Sequence, residues 1–555
     1  MAFCSIALVL TGCNGNNAVG NTQIGEETGE NTMNSSGGYT GSSVPYSMCL
    51  DGKDGEWRAL HDADNTGFDQ NWQLGEAKNW AGAAVAQVPG NFYMITDGTG
   101  EKKVGIWWFR RTFEPEVADG ADMRYFLQFG AVDYYCEIYL NGTLLGTHEG
   151  QEVGFAVEAT EALKLNEKNV LVVKVYEPGF GEAIIPDMAI ESIPTGQSFG
   201  GIQRSVYLIA SGELALEDLY CIPEYETGKI TSRITVNNPS SEPRRLSVTV
   251  TVTENGSGGC IYQNVSEAEA EPGSGVISID AQLKDYKLWD INAPTLYNVT
   301  VTLDYTSASG EDMRSQKTER IGFRDFRVKD GWFFLNGRRI FLKCAHTSNT
   351  STVYRSNQDE DAQVLEDIYK MKAAGFNCIR FLHTPANQEQ LDLCDELGIM
   401  VYQEHPASWP WRSGTVVEER FLRSLEQRLL SDRNHPGIVI WGLLNENSTP
   451  STFILARDSL SMLKDLDDTR VFLLNSGRFD QIFETGSVSN PGSEDWEAVW
   501  GYEGEKQVAS RWGYEDFPEY YRGCGDIHIY PREQASAKLR EVFSFFGVGT
   551  KPVFI

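Results

Sequence analysis

After Gly322 the chain settles into a repeated unit, a short apolar run followed by a helical stretch, and this alternation restricts the fold more than any other feature of its 555 residues. Arg339 to Lys343, Phe376 to Phe381, Ile399 to Gln403, Ile438 to Leu443, Val471 to Leu474, Asp526 to Ile529 and Val553 to Ile555 read as strands. Helical stretches run from Glu360 to Ala374 and from Asn387 to Leu397. A strand that reaches its neighbour through a helix runs parallel to it, so a parallel sheet is expected. Seven units predict an eight-stranded barrel cut one strand short at Ile555. A doubly wound open sheet would carry a glycine-rich phosphate turn after its first strand, and Lys343-Cys-Ala-His-Thr347 has none.

The chain before Gly322 reads differently. Between Ser47 and Leu208, short alternating runs such as Tyr135-Cys-Glu-Ile-Tyr-Leu140 and Asn169-Val-Leu-Val-Val-Lys-Val175 are separated by turns such as Asn141-Gly142, which predicts an all-β sandwich. Glu213 to Arg320 adds more strands, Ile230 to Val236 and Leu246 to Val252 among them, over the length of an immunoglobulin-like sandwich. Residues 1–13 end in Leu10-Thr-Gly-Cys13 after the apolar run Phe3 to Leu10. They resemble a bacterial lipoprotein signal that would make Cys13 the lipidated residue. Residues 14–44 hold almost nothing apolar and read as a flexible tether.

Charge narrows the partners. Lys and Arg total 47 against 78 Asp and Glu, a formal net charge of -31, which argues against nucleic acid and anionic membrane surfaces. The expected partner is a neutral ligand, with the membrane reached only through a lipid anchor and oligomerisation left open. Some of the 13 Trp, 23 Tyr and 27 Phe can stack on sugar rings, although most are expected to pack cores. Apart from Cys4 and Cys13, the cysteines are scattered from Cys49 to Cys524 with no C-x-x-C spacing. They predict buried thiols, with room for one or two bridges, and no metal site.

One stretch carries chemistry. Gly437-Ile-Val-Ile-Trp-Gly-Leu-Leu-Asn-Glu446 is a buried-strand sequence that ends in an amide and a carboxylate. At the mouth of a parallel barrel, strand C-termini hold the reacting groups, so Glu446 is expected to do general acid/base work.

With these residues in hand, the chain from about Glu56 onward resembles glycoside hydrolase family 2, the group of β-galactosidases, β-glucuronidases and β-mannosidases. The resemblance rests on motifs in order. Gly105-Ile-Trp-Trp-Phe-Arg-Arg-Thr112 and Gly200-Gly-Ile-Gln-Arg-Ser-Val206 come first, then Pro294-Thr-Leu-Tyr297 and Ile321-Gly-Phe-Arg324. Phe334-Leu-Asn-Gly337, Gly375-Phe-Asn-Cys-Ile-Arg380, Arg433-Asn-His-Pro436 and Asn445-Glu446 follow. It implies a multidomain β plus α/β protein. A jelly-roll sugar-binding-like sandwich would span 45–212, an immunoglobulin-like sandwich 213–322 and a C-terminally incomplete TIM barrel 323–555.

The resemblance also implies an exo-acting retaining β-glycosidase for terminal β-linked sugars of oligo- or polysaccharides at the bacterial cell envelope. Glu446 would be the acid/base, and Asn445 would hold the sugar's 2-hydroxyl. The nucleophilic Glu would lie just beyond residue 555, so the 555-residue chain alone is expected to be inactive. Arg380, His383, Glu404, His528 and Tyr530 would contact substrate or steady the nucleophile. His435 would be structural, while Trp409, Trp411, Trp500 and Trp512 lie in loops suited to stacking on sugars. Cys344-Ala-His346-Thr-Ser348 departs from the family's pattern after the first strand, which leaves the sugar unnamed. No cofactor is expected and no metal around Glu404-His405. The competing reading is a non-catalytic carbohydrate-binding protein.

Overall fold

The computed structural model describes residues 46–95, 105–116, 122–177, 200–256, 258–347, 360–382, 384–405, 415–480, 482, 485–493, 506–507, 520–521 and 528. Cys13, the tether, His383, Trp409, Trp411, Trp500, Trp512 and Tyr530 lie outside them, as do the runs expected as the sixth and seventh strands apart from His528.

The first body is a sandwich of two antiparallel sheets. Ser47–Cys49, Val206–Ser211, Arg124–Phe129 and Phe155–Glu158 form one. Ala84–Val88, Gly52–His61, Gly105–Phe113, Asn169–Glu177, Tyr135–Leu140 and Thr143–Glu149 form the other. Strand alternation sends Trp107 and Phe109 into the core between the sheets. The intervening Ile106 and Trp108 face a second cluster with Trp72, Trp80 and Tyr139, so the whole run is buried. Asp62 pins this outer layer, accepting from Trp108 Nε1 at 2.8 Å and from the amides of Thr66 and Gly67 at 2.8 and 2.9 Å.

A second sandwich follows. Ala215–Pro223, Lys229–Asn238 and Gly273–Gln282 face Cys260–Ala270, Arg244–Glu254, Tyr297–Thr306 and Asp312–Ile321. Ile230, Ile234, Val236, Val248, Val250, Val299 and Val301 meet between them.

One expected strand is corrected. Arg338–Ile340 pairs antiparallel with Trp332–Leu335 rather than opening the barrel. The cause is the Asn336-Gly337 turn, with φ of 53° and 72°, the backbone a two-residue hairpin of matching twist demands. The parallel sheet begins later. Its strands are β1 (Cys344–Thr347), β2 (Cys378–Phe381), β3 (Met400–Glu404), β4 (Ile438–Asn445) and β5 (Val471–Ser476), all parallel and in sequence order. Helices α1 (Glu360–Ala373), α2 (Gln388–Leu397) and α3 (Thr415–Asp432) connect the first four. A two-residue segment, Val488–Ser489, then pairs antiparallel with β5.

Residues of β2 to β5 pack on two sides, as a barrel wall requires. Ile379, Phe381, Val401, Trp441 and Leu474 meet the helices, with Phe421 and Leu425 of α3. Cys378, Met400, Tyr402, Ile440 and Leu473 share a cluster with the hairpin's Phe326, Phe333 and Leu335. Arg324 fixes the strand starts, donating to the carbonyls of Pro436, Ile438 and Thr469 at 3.1, 2.9 and 2.7 Å.

The second sandwich meets the barrel through an ionic cluster. Arg320 pairs with Asp392 at 2.6 Å and Glu396 at 2.5 Å, while His435 Nδ1 lies 2.7 Å from Asp395 and its Nε2 2.9 Å from Gln388. Burial pushes the Asp392 carboxyl up to about 7 against the pull of Arg320 and His435. Burial lowers the His435 imidazole, but the charges of Asp395 and Asp392 outweigh it and hold it above its usual value.

Both groups bind a proton more tightly folded than unfolded, so the Asp392 contribution is full below its ordinary value of 3.8 and is lost as pH rises to about 7, while the His435 contribution is full below 6.5 and is lost above it. Carboxylates held below their ordinary values, such as Asp467, act in the opposite sense, below that window. The melting temperature is therefore expected to fall as pH rises from about 4 to about 7 through Asp392 and further above 6.5 through His435, and His435→Gln is expected to flatten the slope above 6.5. A flat wild-type profile in a thermal scan, or an unchanged slope in the variant, would contradict this.

Candidate active site

Glu446 follows β4 directly, with φ of 48°, a left-handed conformation that costs a non-glycine residue roughly 1–2 kcal/mol. Neighbouring loops hold it there. Its amide donates to the Ser476 carbonyl at 2.8 Å. The next residue is tied down as well, because Asn447 N–H donates to Asn475 Oδ1 at 3.1 Å and Asn475 Nδ2 donates back to the Asn447 carbonyl at 2.9 Å. Asn475 Nδ2 also reaches Asp480 at 2.6 Å, and Asp480 pairs with the fully buried Arg478 at 3.2 Å. Arg478 in turn donates to the carbonyls of Ile482 and Thr485, at 2.7 and 3.1 Å. The loop after β5 thus clamps the loop that presents Glu446, the kind of support a strained functional residue needs.

Arg380 lies two residues along β2 from the interior Cys378, and Glu404 two along β3 from Tyr402. The two meet through Arg380 Nε and Glu404 Oε2 at 2.8 Å and through a second contact from Nη2. Glu404 is fully buried, and the guanidinium lies 4.8 Å from the Tyr402 ring centroid. Arg380 Nη2 also donates to Asn445 Oδ1 at 2.7 Å. Close approach behind these groups requires glycine at 442, since a Cβ there would fall 2.2 Å from Tyr402 Cε2.

His528 completes the group. Its Nδ1 lies 2.5 Å from Glu446 Oε1, and its Nε2 lies 3.4 Å from Arg380 Nη1 and 3.0 Å from Ser476 Oγ. A guanidinium only donates, so Nε2 is the acceptor and Nδ1–H points at Glu446. The side chains of Glu446 and His528 are 15% and 14% exposed, enough to meet a ligand.

The structure therefore brings Glu446, Asn445, Arg380, Glu404 and His528 together at the C-terminal ends of the parallel strands. Of the residues singled out from the sequence, His383 and Tyr530 lie outside the described residues. Ser476, Asn475 and Asp480 were not foreseen. Their one sequence signal is that Asn475-Ser476 ends an apolar strand just as Asn445-Glu446 does.

His405, next to Glu404, faces away from this group. Burial, aided by the charge of Arg428, drives its imidazole down to about 3, and its Nε2 lies 2.6 Å from Ser424 Oγ. Beside it the first sandwich is fastened to α3. Arg428 donates to the carbonyls of Glu152 and Gln151, the former at 3.1 Å, while Arg420 and Arg423 pair with Glu149 at 2.9 and 2.6 Å. Among the described residues, the group with metal-like spacing is Asp392, Asp395 and His435, whose ligand atoms all lie within 4.8 Å of one another. It belongs to the other end of the strands. There Arg320 occupies Asp392, and the Gly437 amide donates to Asp395 at 2.7 Å.

Three family models match in chain order. "Glycosyl hydrolase 2 galactose-binding domain-like" matches residues 99–184, "Glycosyl hydrolases family 2" residues 214–324, and "Glycosyl hydrolases family 2, TIM barrel domain" residues 326–490. A putative beta-glucuronidase of Formosa agariphila is 29% identical over 369 residues, 62% of this chain and 40% of that protein. A beta-galactosidase of Thermoanaerobacterium thermosulfurigenes is 25% identical over 374 residues, 64% of this chain and 50% of its own. The chain spans half or less of the length of these two relatives.

The fold resembles crystal structures of two beta-glucuronidases. That of Bacteroides uniformis gives a TM-score of 0.65 at 23% identity, over 77% of this chain and 52% of the other. That of Parabacteroides merdae gives 0.66 at 22%, over 80% and 56%. With two sandwiches, a parallel barrel and a model of one family matching each in turn, the chain belongs to glycoside hydrolase family 2.

Proposed function

We propose that the chain forms the sandwich and barrel portion of an exo-acting retaining β-glycosidase that removes terminal β-linked sugars from oligo- or polysaccharides. Glu446 would be the general acid/base. The observation that supports this most is the position of Glu446, partly exposed at the strand ends and donated to by the His528 ring. Retaining cleavage needs a carboxyl to protonate the leaving oxygen and later to activate water, while a second carboxylate about 5 Å away attacks the anomeric carbon. Asn445, its Oδ1 accepting from Arg380, would hold a sugar hydroxyl beside Glu446. Glu404 is an unsuitable nucleophile, being fully buried and bonded to Arg380, so the attacking carboxylate would come from outside the described residues. Lipidation at Cys13 would hold this activity at the bacterial cell envelope.

The test is hydrolysis of a panel of nitrophenyl β-glycosides, glucuronide and galactoside included, by the complete product of the reading frame. Proton NMR would follow the anomer released first. Turnover of one member with the β-anomer appearing first is expected. Binding without turnover would favour the carbohydrate-binding reading, and an α-anomer appearing first would refute retention.

A further inference from the structure

We propose that Ser476 is a positioning residue for the acid/base carboxylate, acting through the imidazole of His528; this rests on the assignment of Glu446 above. Ser476 ends β5 in register with Asn445 and touches the acid/base pair twice. Its carbonyl accepts the Glu446 amide at 2.8 Å, and its hydroxyl lies 3.0 Å from His528 Nε2.

A neutral imidazole has two tautomers, and they are not equivalent here. With hydrogen on Nδ1, His528 donates to Glu446. With hydrogen on Nε2, it turns a lone pair toward a carboxylate 2.5 Å away. The Glu446 carboxylate, which only accepts, and the Arg380 guanidinium, which only donates, both favour the first form. The Arg380 contact is long, 3.4 Å, and that guanidinium also serves Glu404 and Asn445. The Ser476 hydroxyl is closer, at 3.0 Å, and can donate to the lone pair left on Nε2, so its part is to hold the ring where Nδ1–H reaches Glu446. Ring placement is fixed by the next residue, Gly477, where a Cβ would lie 3.2 Å from His528 Cγ and Nδ1. Phe479 contributes an edge contact with a centroid distance of 6.5 Å.

The chemical consequence lies in the step where Glu446 protonates the leaving oxygen. The proton passes from the Glu446 carboxyl to that oxygen as the glycosidic bond breaks, and the carboxylate left behind keeps the Nδ1–H hydrogen bond. That bond makes Glu446 a stronger acid. Without the Ser476 hydroxyl the ring loses that anchor, the Nδ1–H bond to the carboxylate weakens, and proton donation to poor leaving groups slows.

The test uses the complete reading-frame product with Ser476→Ala, and with Ser476→Thr to restore a hydroxyl. Ring nitrogens of 15N-histidine-labelled protein would be read by NMR, with His528 assigned through His528→Gln. Wild type and Ser476→Thr are expected to show hydrogen on Nδ1 with the shift of a short hydrogen bond, and Ser476→Ala a ring in which that shift is reduced. In Ser476→Ala the alkaline limb of the pH profile should move to higher pH, and kcat on poor leaving groups should fall several-fold with KM little changed. The threonine variant should restore both. A wild-type ring protonated on Nε2 alone overturns the proposal without any variant needing to fold. An unchanged ring pattern in Ser476→Ala overturns it with the glycosidase reading intact. A changed pattern in a protein that hydrolyses no glycoside overturns the glycosidase reading, and the acid/base role given to Ser476 with it.

Discussion

Glu446→Gln in the complete reading-frame product will slow hydrolysis of glycosides with poor leaving groups by about 10²–10⁴-fold, the range general acid catalysis supplies. Glutamine keeps the shape of the side chain and can still accept from His528 through its amide oxygen, but it has no proton to transfer. Dinitrophenyl glycosides leave without protonation, so their bond-breaking step should fall far less. Water would then be activated poorly in the second step, which predicts a burst of dinitrophenol followed by slow turnover. Equal losses on alkyl and dinitrophenyl substrates, with no burst, would mean that Glu446 does not supply the proton.

Arg380→Met is expected to have the largest effect on stability. The substitution removes the partner of a fully buried carboxylate, Glu404, and also the donors to Asn445 and His528. Breaking a buried ion pair from one side costs about 3–5 kcal/mol, because the remaining carboxylate loses its guanidinium counter-charge in low dielectric. The double variant Arg380→Met with Glu404→Gln should recover much of that loss, since the uncompensated charge is gone. Urea unfolding of the four proteins in a double-mutant cycle would measure the coupling. Additive losses would mean that the contact contributes little, and the packing of Arg380 on Tyr402 would then carry the effect.

Elements with strong local periodicity were legible in the sequence. The run Ile438 to Asn445 reads as a buried strand because each of its residues is buried in the fold, and Asn387 announces α2 through a capping box with Gln390. The hairpin before the barrel was misread because Arg338 to Ile340 has the composition of a strand in either arrangement. Asn336-Gly337 was the deciding signal, and it specifies a reversal rather than a crossover.

The site was legible where the strand ends announce polar residues after apolar runs, as at Arg380, Glu404 and Asn445-Glu446. What the sequence did not show was pairing across long separations. His528 meets Glu446 across 82 positions and Ser476 across 52, contacts that no local pattern encodes. The positive φ at Glu446 was hidden for a similar reason, since it is imposed by the Ser476 carbonyl and the Asn447 to Asn475 exchange rather than by Glu446 itself.

The most direct test of Glu446 as acid/base is rescue of Glu446→Ala by azide. Removing the side chain opens space where water is normally activated, and azide can attack the glycosyl-enzyme there without a base. In the complete reading-frame product, added azide should restore turnover of a dinitrophenyl β-glycoside and yield the β-glycosyl azide, identified by proton NMR. No rescue, or an α-glycosyl azide, would contradict the assignment, the latter by marking Glu446 as the nucleophile.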